Sequence, residues 1–176
     1  MIIFDLDGTL ADCEHRRHFV DNPFKGCDGN YRDCICKKCI NRWNWKPDWS
    51  SFYEACDKDL PIQPVIKVLD HYIRGFLCNG NNDPNLNIEI WSGRCESTRI
   101  KTESWLRRYK LSGIPLKMRP IGNTEPDEVL KERWLDEAVS EGKTIEFVFD
   151  DRPKVVRMWR KRGVFVFNCL QVDHEF

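Results

Sequence analysis

The chain has 176 residues, 41% of them hydrophobic by a broad count, and its 28 basic and 28 acidic residues leave no formal net charge. This length fits one domain with a small insert, and the balanced charge gives no sign of a dominant nucleic-acid or membrane partner. Asp5 and Asp7 interrupt the first apolar stretch, so we expect no signal peptide. No apolar run approaches the roughly 20 residues of a membrane span. We therefore expect no membrane association and a cytoplasmic location.

Short apolar runs alternate along the chain with helical patterns. The candidate strands are 2–4, 88–91, 115–118, 145–149 and 164–167. The candidate helices are 63–77, 95–110, 126–140 and 153–162, and turn-forming residues at 79–85 predict a surface loop. This alternation predicts an α/β fold with right-handed crossovers and a mainly parallel sheet that helices cover on both faces.

Polar residues follow three of the predicted strands. Asp5-Leu6-Asp7 follows the first, Ser92-Gly93-Arg94 the second and Asp150-Asp151-Arg152 the fourth. Because ligands of parallel sheets bind beyond the carboxyl ends of the strands, we expect these residues to share one site. Clustered carboxylates repel one another unless a cation lies among them, and oxygen ligands suit Mg²⁺. The predicted Mg²⁺ ligands are Asp5, Asp7, Asp150 and Asp151. The alternative for the first pair is an ordinary Asp-Gly turn.

These motifs, in this order, resemble those of the haloacid-dehalogenase-type (HAD) phosphohydrolases. Asp5-x-Asp7-Gly8-Thr9-Leu10 is similar to the first motif of that family, Ser92 to the second, and Asp150-Asp151 to the fourth. The stretches SGR, DEVLKER and FDDRPKVVRMWRKRGV narrow the resemblance to the phosphatase domain of phage polynucleotide kinase–phosphatase, which trims 3′-phosphates during end repair. The resemblance implies a Rossmann-like HAD fold and covers both ends and the middle of the chain, but not its Cys-rich insert.

The resemblance implies a catalytic role for several residues. Asp5 would be the nucleophile that forms an aspartyl-phosphate, and Asp7 would be the general acid and later the base. Ser92 and Lys131 would bind the phosphoryl oxygens. Asp127 lies one helical turn before Lys131 and would orient it. Without the resemblance, Asp127 and Lys131 would be interpreted as an ordinary surface pair.

Further residues are predicted to contact the substrate. Thr9 would hold the turn after Asp7, and Arg16 and Arg94 would grip phosphate or the nucleic-acid end with their planar guanidinium groups. The alternative for Arg16 is a solvent-exposed side chain without a function. The predicted substrate-binding residues are Arg16, Thr9, Gly93, Arg94 and Asp127.

Residues 13–60 interrupt the alternation of strands and helices, and we predict that they form a cap insert within a single HAD domain spanning 1–176. The chain's nine cysteines are expected to be thiols, thiolates or metal ligands rather than a disulfide framework. A structural Zn²⁺ site is predicted at Cys27, Cys34, Cys36 and Cys39. One ligand could instead come from another nearby residue, namely Cys13, His15, His18 or Cys56. The alternative is a loop of free thiols.

Aromatic side chains are concentrated in the same insert. They are Trp43, Trp45, Trp49, Phe52 and Tyr53. Such rings can stack on a nucleobase, but most of them are expected to form the small core of the cap.

The chemistry and the resemblance together predict a Mg²⁺-dependent phosphomonoesterase that removes 3′-phosphates from nucleic-acid ends. One alternative is a phosphatase of free nucleotides. Another is a zinc-stapled nucleic-acid-binding module on an inactive HAD scaffold, which the intact acids and the neutral charge disfavour. The chain lacks Gly-x4-Gly-Lys-Ser/Thr, so no kinase activity is expected. The resemblance favours a phage origin and hence the host cytoplasm.

Overall fold

A parallel β-sheet forms the centre of the fold in the computed structural model, which describes residues 1–23, 36–78 and 87–170. The strands are β1 (Ile2–Phe4), β2 (Ala11–Asp12), β3 (Leu60–Pro61), β4 (Ile88–Cys95), β5 (Leu116–Arg119), β6 (Phe147–Asp150) and β7 (Phe165–Asn168). Five of them make the main sheet in the order β5-β4-β1-β6-β7, and every pairing in it is parallel. The predicted α/β fold with a mainly parallel sheet is therefore confirmed.

The described α-helices are α1 (Lys37–Asn44), α2 (Trp49–Glu54), α3 (Gln63–Cys78), α4 (Arg99–Arg108), α5 (Asp127–Ser140) and α6 (Pro153–Lys161). Short 3₁₀ helices cover Glu14–Phe19, Cys56–Lys58 and Glu96–Thr98. The four helices predicted from sequence are present, with one shifted start. The helix expected from residue 95 begins at Arg99, because β4 continues through Cys95 and a 3₁₀ turn follows it.

Two hydrophobic cores cover the two faces of the main sheet. Ile3 of β1 belongs to the core that includes Trp134 of α5 and Trp159 of α6. The other core includes Leu69 of α3 and Trp105 of α4. A fully buried large apolar side chain contributes about 1.5–3 kcal/mol to folding. The apolar strands that the sequence shows are therefore explained by helices on both faces.

The segment between β2 and β3 leaves the main sheet and returns to it through a small antiparallel stem. In that stem Ala11 pairs with Pro61 and Asp12 pairs with Leu60. This segment has little periodicity in its sequence, yet α1 and α2 both form. Asp48 caps α2, because its carboxylate accepts the backbone N–H of Ser51 at 3.0 Å.

One prediction falls partly and another wholly outside the described residues. Cys27 and Cys34 of the predicted zinc site lie there, as does the loop predicted at 79–85. Of the other two proposed ligands, Cys36 is exposed and Cys39 is buried. Over the described ranges, no helix is long and apolar enough to cross a lipid bilayer.

Candidate active site

The carboxyl edge of the central strands brings the predicted site residues together. β1 pairs in parallel register with β4 on one side and β6 on the other, so Asp5, Ser92 and Asp150 lie at the same edge. The Asp5 backbone N–H donates to the Phe149 carbonyl at 2.9 Å. A cavity of about 690 Å³ opens at this edge. The acids and the lysine that line it are Asp5, Asp7, Lys131, Asp127 and Asp151, with Asp21, Glu54 and Glu125 farther along its walls.

Three carboxylates converge at one point of this edge. Oxygen atoms of Asp5, Asp150 and Asp151 all lie within 4.8 Å of one another. The Lys131 ammonium donates to Asp5 Oδ1 at 2.5 Å and to Asp150 Oδ2 at 2.7 Å. Asp151 approaches so closely that a Cβ at Gly8 would lie 2.1 Å from its Oδ2, and Gly8 also has a φ of +86°. One ammonium does not balance three carboxylates, so this group fits a divalent cation with oxygen ligands.

The pKa shifts of these carboxyl groups and of Lys131 also fit a bound cation. Burial raises the pKa of Asp5 to about 8; Lys131 opposes the shift, while Asp150 and Asp151 add to it. Burial and the charge of Asp150 likewise raise the pKa of Asp151 to about 7. Burial disfavours the Lys131 ammonium, but Asp150 and Asp5 raise its pKa above the ordinary value. A bound cation would therefore favour the ionised carboxylates that nucleophilic attack requires.

We expect the metal-free protein to lose thermal stability as the pH rises from about 4 to about 8. A carboxyl group with a raised folded-state pKa holds its proton more tightly when folded. Its contribution is therefore complete below the unfolded-state pKa and is lost as the pH rises through the folded-state pKa. Mg²⁺ should relieve the repulsion and raise Tm more at pH 8 than at pH 5, by roughly 2–4 °C for each kcal/mol of binding. Calorimetry with MgCl₂ or EDTA measures this, and an equal Mg²⁺ effect at both pH values would contradict it.

The carboxylate of Asp7 has a different environment from the other three acids. Arg94 Nη2 donates to its Oδ1 at 2.5 Å, and Arg16 Nη2 donates to the same oxygen at 2.6 Å. Although burial favours the neutral acid, Arg94 and Arg16 lower the pKa of Asp7 below its ordinary value. Asp7 is not part of the group that could hold a metal ion. The prediction of an Asp7 carboxylate ligand is corrected for this reason: two guanidinium groups already occupy that carboxylate.

A buried carboxylate that sequence analysis did not identify holds both arginines. Asp59 is 1% exposed and accepts from Arg16 Nε and Nη2, each at 2.7 Å. It also accepts from Arg94 Nη2 at 2.5 Å and contacts His15 Nε2 at 2.8 Å. Asp59 and Asp7 thus form a buried network with the two guanidinium groups. Asp59 lies at the end of the insert, where no local pattern marks it as functional.

This network changes the interpretation of Arg16 and Arg94. Both side chains are fully buried, and neither lines the cavity. The prediction that they grip phosphate or the nucleic-acid end is therefore corrected, because their donors are directed to Asp7 and Asp59 instead. They are positioning residues that fix the orientation and charge of Asp7.

The position of Asp127 also differs from the prediction. Its carboxylate accepts from Arg119 and Arg152, whereas the ammonium of Lys131 donates to the acidic group. Asp127 therefore does not orient Lys131; it lines the cavity beside Gly93, where a Cβ would lie 2.9 Å from Asp127 Oδ1. Arg119 is not among the residues predicted from sequence, although it ends β5 and therefore lies at the same edge of the sheet as the other strand ends.

Ser92 and Thr9 are both fully buried at this edge. Ser92 Oγ accepts the backbone N–H of Arg94 at 3.2 Å, and the Thr9 N–H donates to the Leu6 carbonyl at 3.3 Å. Over the described ranges, Thr9 Oγ1 is the one buried side-chain polar atom without a hydrogen-bond partner. The predicted contact of Ser92 with phosphate and the turn-holding role of Thr9 stay predictions.

One protein family and several known proteins are similar to this chain. The family described as polynucleotide kinase PNKP phosphatase domain matches residues 49–175. A protein of Autographa californica nuclear polyhedrosis virus, named as a bifunctional polynucleotide kinase/RNA ligase, is 34% identical over 91 residues. That match covers 51% of this chain and 13% of the viral protein.

Solved structures give the same fold. A chain of the Pnkp1/Rnl/Hen1 complex matches 96% of this chain with 24% identity and a TM-score of 0.63. A chain of the Pnkp1/Rnl/Hen1 RNA repair complex matches the same share with 24% identity and a TM-score of 0.61. This chain spans 45% and 41% of those two chains, so it is less than half as long as either. Since the family match covers more than half of the sequence, the chain belongs to the PNKP phosphatase-domain family of HAD phosphatases and is a phosphoric monoester hydrolase.

Proposed function

We propose that this hydrolase removes 3′-phosphates from nucleic-acid ends in a Mg²⁺-dependent reaction that passes through an aspartyl-phosphate on Asp5. The observation that carries the proposal is the Asp5 carboxylate. It lies at the edge of the cavity, bonds to Lys131 at 2.5 Å, and is two residues from an acid that two arginines hold in place. A nucleophile and an acid/base group so arranged can act on opposite ends of one phosphorus–oxygen bond.

In the first step, an Asp5 oxygen attacks phosphorus, and the bond from phosphorus to the 3′-oxygen breaks. The leaving oxygen takes a proton from Asp7, so the nucleic acid departs with a free hydroxyl group. The low pKa of Asp7 in the free protein disfavours this proton. A phosphate dianion next to Asp7 would raise that pKa and so favour the protonated carboxyl group in the substrate complex.

In the second step, Asp7 acts as a base. It takes a proton from water, whose oxygen attacks the phosphorus of the aspartyl-phosphate, and inorganic phosphate leaves as Asp5 is restored. The arginines that hold Asp7 favour its carboxylate form, which is the form this step needs. Lys131 bonds to Asp5 and Asp150 and would remain close to the phosphoryl group throughout.

Asp5, Asp150 and Asp151 would hold the Mg²⁺ ion. When bound, the ion would neutralise charge on the phosphoryl group and on the surrounding carboxylates. Asp150 is itself fixed by its surroundings, because it accepts the N–H of Arg152 at 3.1 Å and the indole N–H of Trp159 at 3.3 Å. We also propose a structural Zn²⁺ site in the insert, with Cys27, Cys34, Cys36 and Cys39 as its ligands. The spacing of these four cysteines in the sequence is its sole support.

The nucleic-acid substrate is proposed from the family and from the names of the relatives, which refer to polynucleotide kinase and RNA repair. The 176 residues carry no P-loop, so the proposal includes no kinase activity for this chain. A phage origin and the host cytoplasm as the place of action remain part of the proposal; the one relative named above comes from a nuclear polyhedrosis virus, which is not a phage.

A substrate panel tests the proposed function. Phosphate release should be fastest from a 3′-phosphorylated oligonucleotide, at least about tenfold slower from a 5′-phosphorylated one and from free mononucleotides, and absent in EDTA. The same panel with Trp43→Ala, a change at an exposed residue outside the cavity, should give the same ranking. Turnover of mononucleotides alone would replace the proposal with a nucleotidase, and no turnover of any phosphomonoester would end the enzyme assignment.

A further inference from the structure

Helix α2 forms one wall of the cavity, and its three aromatic side chains have different surroundings. Phe52 is 8% exposed and lies beneath Arg16, whose guanidinium carbon is 4.0 Å from the ring centroid. Tyr53 is half-buried and donates its hydroxyl group to the Gly93 carbonyl at 3.3 Å. All three rings line the cavity, and Trp49, which is 43% exposed, is the most exposed of them. Phe52 and Tyr53 are therefore held by Arg16 and the Gly93 carbonyl, and Trp49 presents the most exposed ring to the space where a ligand would lie.

The indole ring of Trp49 is fixed by its own helix. Its centroid is 6.0 Å from that of Tyr53, with 29° between the ring planes, and 5.7 Å from that of Phe52, which meets it edge-on. Rings supported in this way keep one orientation. A ligand that stacks on such a ring therefore loses little binding energy to the ordering of the side chain.

The wall that carries Trp49 is joined to the phosphoryl site. The bond from Tyr53 to the Gly93 carbonyl links α2 to the end of β4, and Arg119 Nε donates to the same carbonyl at 2.9 Å. Asp5 and Lys131 line the same cavity as Trp49. Single exposed aromatic residues are common on protein surfaces and need no functional explanation. Trp43 is such a residue, because it is 50% exposed and does not line the cavity. Trp49 differs because it shares a cavity with the nucleophile.

We propose that the indole face of Trp49 stacks on the base of the nucleotide whose phosphate is bound at Asp5. This inference rests on the proposed function and names its substrate class, a nucleotide at a nucleic-acid end rather than a simple sugar phosphate. The volume of about 690 Å³ lies within the range of pockets that enclose one small ligand. Because every base has a π-face, the stacking would tolerate all bases at the end.

The test compares two 3′-phosphorylated oligonucleotides that differ only at the last nucleotide, which carries a base in one and is abasic in the other. Trp49→Ala should lower kcat/KM for the base-bearing substrate by about 5- to 100-fold, mainly through KM, and should affect the abasic substrate several-fold less. Trp49→Phe should restore most of the loss. The control, Trp43→Ala, should behave as the wild type on both substrates.

Some results would overturn the stacking role of Trp49 alone, and another would overturn the proposed function as well. An equal loss on both substrates, or a Trp49→Phe variant as impaired as Trp49→Ala, would show that Trp49 only supports the fold, and the inference would be overturned. If the wild-type protein released phosphate from neither oligonucleotide, the proposed function would be overturned, and the inference with it.

Discussion

Replacement of Asp5 by Asn is expected to reduce phosphate release by at least about 10⁴-fold, because a neutral amide cannot form the phosphoryl-enzyme bond. The fold should survive, since the amide oxygen can still accept the hydrogen bond that Lys131 now donates to Asp5 Oδ1 at 2.5 Å. Without metal at pH 8, the variant should be at least as stable as the wild type, because burial raises the pKa of Asp5 to about 8 and its charge is unfavourable there.

Phosphate release and Tm, measured on the same preparations, check this prediction. Asp70→Asn is the matched control, because the chemical change is the same but the Asp70 side chain is half-exposed and pairs with Arg74 along the surface of α3. It should keep full activity, since such surface pairs contribute little. Residual activity of Asp5→Asn above about one percent of the wild type would exclude Asp5 as the nucleophile.

Replacement of Asp59 by Asn should destabilise the protein by about 3 kcal/mol or more, because it leaves two buried guanidinium groups with one carboxylate between them. The variant should also lose about 100-fold in kcat/KM as Asp7 moves from its position. Without the charge of Asp59, Arg16 and Arg94 stabilise the Asp7 carboxylate more strongly. The pKa of Asp7 should therefore fall further, and the descending limb of the pH–rate profile should shift to lower pH.

Urea denaturation and a pH–rate profile measure the two effects separately. The control is Asp136→Asn, which removes an exposed carboxylate that pairs with Arg162 on the surface. A folded Asp59→Asn variant with the wild-type pH–rate profile would contradict the positioning role, because a merely structural residue would not move that limb.

The sequence was sufficient to predict the sheet and its functional edge, since both follow from local patterns. Apolar runs between helical segments predict buried parallel strands, and the strand ends then converge by geometry alone. Asp5 and Asp150 could be placed in this way. Lys131 lies on a helix, and the family resemblance assigned it to the site. Arg119 could have been found by the same rule, because it ends β5.

The partners of Asp7 could not be predicted, because they depend on contacts between residues far apart in the chain. Asp59 is 43 positions from Arg16 and 35 from Arg94. An acid just before a short strand has the same local pattern as a surface residue. Only the fold of the insert shows that it is buried, and this burial turns Arg16 and Arg94 away from the cavity.

Acid quenching of the enzyme during turnover of a 3′-phosphorylated oligonucleotide, followed by mass spectrometry of its peptides, tests the proposed mechanism most directly. We predict one added phosphoryl group on the peptide that contains Asp5, and no such group in Asp5→Asn or in the presence of EDTA. A phosphoryl group on another residue would contradict the assignment of Asp5. Turnover without any phosphorylated peptide, under conditions where the second step is slowed by low temperature, would contradict the covalent mechanism itself.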